Sequence, residues 1–206
     1  MTTVSPSPAQ RQFRLSRGLA GRFAGWYMSR ENRHLNQMAV EWLEVQAEDN
    51  VLEIGFGPGH GLELLLATTP AHTVWGLDPS AEMAEQALSR NRAAVKANRL
   101  RIVAGDVQAM PFSDQQFSRI VAVSNFHVWP CRSAGLKEIR RTLCLGGRLV
   151  IGLRRALNDP WPWSSPGLSL EALRADQELL KSHGYRDVQL ATRKYRRRSC
   201  CLVATR

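Results

Sequence analysis

The chain has 206 residues, 44% of them hydrophobic and 22% charged, the proportions of one globular domain with its own core. No apolar run approaches the roughly 18 residues of a spanning helix, and no continuous apolar stretch opens the chain, so neither a membrane span nor a secretory signal is expected. The four cysteines, Cys131, Cys144, Cys200 and Cys201, form no CxxC pair and no Cys/His spacing that would close round zinc. No metal is therefore expected, and the thiols are expected to stay free in a reducing, cytoplasmic setting.

The net charge of +10 is concentrated at the two ends. Residues 1–40 carry six arginines against Glu31 alone, and residues 184–206 carry seven cations against Asp187. The middle is close to neutral and must be read for its own chemistry.

Residues 1–10 are rich in Ser, Thr and Pro. After them Leu15, Leu19, Phe23, Trp26 and Tyr27 recur at helical spacing among arginines, which predicts a basic amphipathic helix. A second helix is predicted over Arg33–Gln46, with Leu35, Met38, Ala39, Trp42 and Leu43 on one face. Strand-like runs follow at Val51–Ile54, Thr73–Leu77, Leu100–Val103, Arg119–Val123 and Arg148–Gly152, alternating with helical stretches near 60–68, 81–95 and 133–143. That order predicts a parallel sheet covered on both faces. Asp159 to Gly167 is a proline-broken loop, and the helix after it has Ser169 as its cap and Glu171 in its first turn. Two strands near 186–191 and 198–204 are close enough in sequence to form an antiparallel hairpin. Cys200 and Cys201 would point to opposite faces of the second of these strands, which suits packing better than ligation.

The strongest chemical signal is Val51-Leu-Glu-Ile-Gly55-Phe-Gly57-Pro-Gly59-His-Gly61, a strand entering a glycine turn and then a helix. Such a turn brings backbone N–H groups against a ligand at a helix amino terminus. Gly55, Gly57 and Gly59 satisfy GxGxG, but the third glycine of the dinucleotide pattern GxGxxG would fall on His60, and no GK[ST] follows. The second strand ends at Asp78, and the third is followed by Asp106 and Val107. Two acids at the carboxyl edge of one sheet mark a ligand crevice, one suited to a ribose diol and the other to an adenine amino group.

At these residues the chain resembles the class I S-adenosylmethionine-dependent methyltransferases. VLEIGFGPG, VWGLDPS, AGDVQAMPFSDQQFSRIVAV and LCLGGRLVI occur in that family's order and cover roughly residues 42–152. The resemblance implies a Rossmann-like α/β fold: a doubly wound sheet of about seven strands, mostly parallel with a C-terminal antiparallel hairpin, helices on both faces and an N-terminal helical cap. It implies a single domain, with the cap over 1–46, the cofactor-binding core over 47–155, and a lid loop, helix and hairpin over 156–206. Gly55, Gly57 and Gly59 would face the amino-acid end of S-adenosylmethionine, with Glu53 supporting the loop. Asp78 would take the ribose hydroxyls with Pro79 beside it, Asp106 the adenine edge with Val107 beside it, and Asn125 would complete the cofactor set.

Three positions depart from the family's pattern. Ser118 stands where Asp is usual, and Leu145 where Pro is usual before Gly146-Gly147. The Pro-Pro-aromatic tetrapeptide of amino-group methyltransferases acting on nucleic acids or proteins is absent, which argues against that substrate class.

In this fold the fourth strand points at the reactive end of the cofactor, and here it leads into Ser124-Asn-Phe-His-Val-Trp-Pro130. His127 is the candidate base, since an imidazole suits proton transfer near neutral pH. The plainer reading is a histidine satisfied by a backbone carbonyl. Trp26, Tyr27, Phe126, Trp129, Trp161 and Trp163 are the candidate acceptor-pocket aromatics, and core packing is expected to claim some of them. Pro130-Cys131 resembles the nucleophile of RNA cytosine methyltransferases but falls several residues past the strand, so Cys131 reads as structural.

The leading expectation is methylation of a small molecule at O, N or S. A membrane-surface acceptor such as a phospholipid amine is the first alternative, with the basic residues 11–30 lying on anionic lipid. An RNA methyltransferase that uses the arginine-rich ends as its footprint comes next, although Arg196–Arg198 sit in or beside a short hairpin with no companion domain, and nucleic acid is the less expected partner. A cofactor-binding protein without turnover comes last. The Arg-rich start also fits a mitochondrial transit peptide, but its helical period runs on into Arg33–Gln46, which favours a helix of the mature protein.

Overall fold

A computed structural model describes residues 32–156, 167–193 and 198–206. Its frame is a seven-stranded sheet of β1 (Asn50–Ile54), β2 (Thr73–Asp78), β3 (Leu100–Ala104), β4 (Phe117–Val123), β5 (Leu143–Arg154), β6 (Arg186–Thr192) and β7 (Ser199–Thr205). The strands lie in the order β3-β2-β1-β4-β5-β7-β6. Only β7 is antiparallel to its neighbours, β5 and β6, so the expected hairpin is present with its second strand as the inner one. The order reverses between β1 and β4, and the carboxyl ends of those strands open the crevice in which doubly wound sheets take ligands.

The strands read as nearly continuous apolar runs because both faces of the sheet are covered. In β7, Cys200, Leu202 and Ala204 belong to one core, and Cys201 and Val203 to the other. Ile120 and Ala122 of β4 face the first core and Val121 the second. Over the second core lie α1 (residues 32–43), α2 (His60–Thr68) and α3 (Ala81–Arg90), through Leu35, Met38, Ala39, Leu43, Leu62, Leu65 and Ala87. Over the first core lie α5 (Arg132–Thr142), through Leu136 and Ile139, and α6 (Leu170–Ser182), through Leu173 and Leu180.

Three elements differ from the sequence reading. The single helix expected over 81–95 breaks at Asn91 into α3 and a short α4 (Arg92–Lys96), because the Asn91 amide turns back to donate to the carbonyl oxygens of Ala87 (3.0 Å) and Gly59 (3.3 Å). The helix expected to reach Gln46 stops at residue 43, where Glu44 takes φ 52°. β5 starts five residues earlier than its apolar run and carries the Gly146-Gly147 step within it. Leu145, in the place of the usual proline, is 72% exposed and costs the packing nothing.

Candidate active site

From Ile54 the chain turns through Gly55, Gly57 and Gly59, all at positive φ, into α2. Two of the three also leave no room for a side chain. A Cβ on Gly55 would lie 2.2 Å from Nδ2 of Asn125, and one on Gly59 would lie 2.9 Å from the Ala87 Cα. The turn is thus fitted against the end of β4 on one side and α3 on the other.

Side chains from three elements hold it there. Asp78, only 7% exposed, accepts from the Gly57 N–H through Oδ2 (3.0 Å) and from the Ser80 N–H through Oδ1 (2.9 Å). Asn125 donates through Nδ2 to the carbonyl oxygens of Ile54 (2.5 Å) and Gly55 (3.3 Å). From α3, Arg90 Nε donates to the Pro58 carbonyl (3.0 Å), beside the Asn91 bond to Gly59. Pro79 sits exposed next to Asp78. Ser80 caps α3 by accepting from the Met83 N–H at 3.3 Å.

Glu53 is buried at the end of β1 against the start of α2, where a Cβ on Gly61 would lie 2.0 Å from its Oε1. Burial first, and the charge of Asp78 second, push its carboxyl up to about 8. Its Oε2 and the Asn125 Oδ1 are both buried without a hydrogen-bond partner among the described residues. Two orphaned acceptors flanking the glycine turn fit a ligand that brings donors and positive charge, as the amino-acid end of S-adenosylmethionine does.

Asp106 lies exposed after β3 and accepts from the backbone N–H of Gln108 at 2.8 Å and from its side-chain amide at 3.2 Å. Val107, next to it, is buried and packs into the first core near Gly135 and Trp129.

At the end of β4, Ser124 is held at φ 59° and its N–H donates to the Gly152 carbonyl at 2.9 Å. Its hydroxyl lies 3.4 Å from Oδ1 of Asn32, which also accepts from Arg154 Nη2 at 2.8 Å, so α1 is tied across the ends of β4 and β5. A 3-10 turn, Phe126–Val128, carries the next residues. Phe126, expected to line the acceptor pocket, is fully buried and stacks edge-on against Trp129 with ring centroids 5.0 Å apart. It is a core residue that braces the turn. Trp129 is partly buried over Gly135. His127 remains exposed on the turn, and partial burial lowers its pKa from the ordinary imidazole value. Asp176 opposes that lowering and Arg132 adds to it.

Cys131 is exposed at the cap of α5, where its carbonyl accepts from the Gly135 N–H at 3.1 Å. Trp26, Tyr27, Trp161, Trp163 and residues 11–30 lie outside the described residues. The sequence reading missed Arg90, Asn91, Arg132 and Asp176. Among the described residues no cluster of His, Cys, Asp and Glu is placed for a metal ion, and no helix is long and apolar enough to cross a membrane.

Strand order, glycine turn and the paired acids define a class I S-adenosylmethionine-dependent methyltransferase, and the comparisons with known proteins agree. A family model described as a methyltransferase domain matches residues 51–147. The chain is 28% identical over 167 residues to the uncharacterized methyltransferase YdaC of Bacillus subtilis, covering 81% of this chain and 88% of that one. It is 30% identical over 121 residues to the ubiquinone/menaquinone biosynthesis C-methyltransferase UbiE of Geotalea daltonii, covering 58% of this chain and about half, 52%, of that one. The crystal structure of mmp1179 from Methanococcus maripaludis superposes with a TM-score of 0.71 at 19% identity, covering all of this chain and 97% of that one. The chain thus carries a methyltransferase domain on the fold of the class I S-adenosylmethionine-dependent methyltransferases.

Proposed function

We propose that the chain transfers a methyl group to an O, N or S nucleophile of a small molecule, with His127 as the acceptor of the nucleophile's proton. The observation that carries this reading is the position of His127, two residues past Asn125, whose amide grips the carbonyl oxygens of Ile54 and Gly55. The turn that bears the imidazole is thereby fixed against the glycine turn. When bound, S-adenosylmethionine supplies a methyl group on a positively charged sulfur. Gly55, Gly57 and Gly59 with Glu53 and Asn125 would hold its amino-acid end, and Asp78 and Asp106 its ribose and adenine. His127, with its pKa lowered by partial burial, is unprotonated near neutral pH and free to take a proton, while the turn sets the line of approach of the nucleophile. That UbiE is named for quinone biosynthesis supports a small-molecule acceptor and adds carbon to the nucleophiles worth testing.

Calorimetric titration with S-adenosylmethionine or its demethylated product tests the cofactor site. Asp78→Ala should weaken binding by about 1.5–3 kcal/mol, the range for hydrogen bonds to charged groups, partly because the Gly57 N–H loses its anchor. Wild-type affinity in that variant would refute the ribose assignment. The acceptor is to be found by incubating the protein with labelled cofactor and fractionated cell extract. On that acceptor, His127→Ala should lower turnover by roughly 10²–10⁴-fold without changing cofactor affinity, and an unchanged rate and pH profile would return His127 to a structural role. The arginines of residues 1–40 support a membrane-surface acceptor as a second reading. Its test is co-sedimentation with anionic liposomes that is lost when residues 1–30 are removed.

A further inference from the structure

Asp176 occupies a core position. On α6 it falls between Leu173 and Leu180, both fully buried, and is itself 2% exposed. Its Oδ1 pairs with Nη1 of Arg132, the first residue of α5. Its Oδ2 is buried with no hydrogen-bond partner among the described residues. A buried carboxylate with one oxygen unsatisfied is a poor way to stabilise a core, where an apolar side chain of similar size does better. Its value must lie in what it holds.

What it holds is Arg132, whose side chain is 44% exposed. The Arg132 guanidinium carbon lies 5.6 Å from the ring centroid of Phe126, the residue before His127, and Phe126 in turn stacks on Trp129. Carboxylate, guanidinium and two aromatic rings therefore bracket the turn that carries the imidazole. The charged groups acting on His127 are Asp176 from α6 and Arg132 from α5, opposite in sign.

We propose that Asp176 is a positioning residue for the methyl-acceptor side of the site, anchoring Arg132 across the turn that carries His127 so that the balanced pair keeps the imidazole ready to accept a proton. The inference rests on the proposed role of His127. With the pair intact, the two charges largely cancel at the ring. Without Asp176 the bare guanidinium disfavours the imidazolium and weakens the base. Without Arg132 the bare carboxylate favours it, and the ring is filled with a proton before the acceptor arrives.

The test is an NMR pH titration of the His127 ring in the full chain, for wild type, Asp176→Asn and Arg132→Gln, with affinity for the demethylated cofactor as the control for folding. The titration needs no acceptor. The expected result is a fall in the His127 pKa by roughly half a unit in Asp176→Asn and a similar rise in Arg132→Gln, with cofactor affinity unchanged in both. Folded variants whose His127 titrates as in wild type, or whose shifts share one direction, overturn the inference. Should Asp176→Asn fail to fold, Arg132→Gln decides alone, and the absence of a rise overturns it. If the opposite shifts are found while His127→Ala keeps full turnover, the electrostatic coupling stands and it is the proposed role of His127 in the reaction that fails.

Discussion

Glu53 shows what it costs the fold to bury one acid beside the glycine turn. Its carboxyl is buried, one oxygen has no donor, and its pKa rises to about 8. The pKa in the folded chain is above that in the unfolded chain, so the folded state is favoured most when pH lies below the ordinary carboxylate value. That advantage is lost as pH climbs through 8. Glu53→Gln removes the titration. The variant should melt above wild type at pH 8–9 and converge with it near pH 5, each kcal/mol separating the two by roughly 2–4 °C for a chain of this size. Calorimetric melts across that range check it, and a constant difference would mean that Glu53 keeps its ordinary pKa. Glu53 entered the sequence reading only through the family resemblance, which sets it beside the glycine turn. Asn91 and Arg90 did not enter it, because they reach the turn from 32 residues away and nothing local distinguishes them from solvent-facing residues.

Among the elements, the signals that survived folding were those written locally. Ser169 was expected to cap α6 from its place before an apolar-periodic run, and its hydroxyl accepts from the Ala172 N–H at 3.0 Å. Ser169→Ala should therefore cost roughly 0.5–2 kcal/mol, read from the midpoint of urea unfolding, with cofactor affinity unaffected. Strands β1 to β4 could be placed to within a residue or two because burial on both faces leaves unbroken apolar runs. The first half of β5 was hidden by Gly146 and Gly147, which interrupt its apolar run. The same limit applied to Asp176: its spacing with Leu173 and Leu180 puts it on the buried face of α6, yet only the Arg132 guanidinium delivered by another helix makes that place tenable.

For the molecule as a whole, the sheet separates two cores, and the adjacent cysteines of β7 report on one each. Burial pushes the Cys200 thiol up to about 11 and the Cys201 thiol higher still. Cys131 is exposed, and Cys144 donates to the Gln115 carbonyl at 2.9 Å. A thiol reagent added to native protein at neutral pH should therefore modify Cys131 first and Cys144 more slowly, and should reach Cys200 and Cys201 only on unfolding. Peptide mapping at timed intervals checks the order, and early labelling of either β7 cysteine would show that its side of the sheet opens in the native state.

The inner position of β7 also bears on how the sheet is assembled as the chain is made. β6 leaves the ribosome before β7, yet its partner in the described sheet is β7. Until residues 199–205 emerge, β5 presents an open edge and β6 has nothing to pair with, the state in which strands recruit other chains. The seven residues of β7 act as a keystone. A nascent chain halted before Ser199 would hold a glycine turn, both acids and the turn after β4, and still be an unfinished sheet that chaperones must shield.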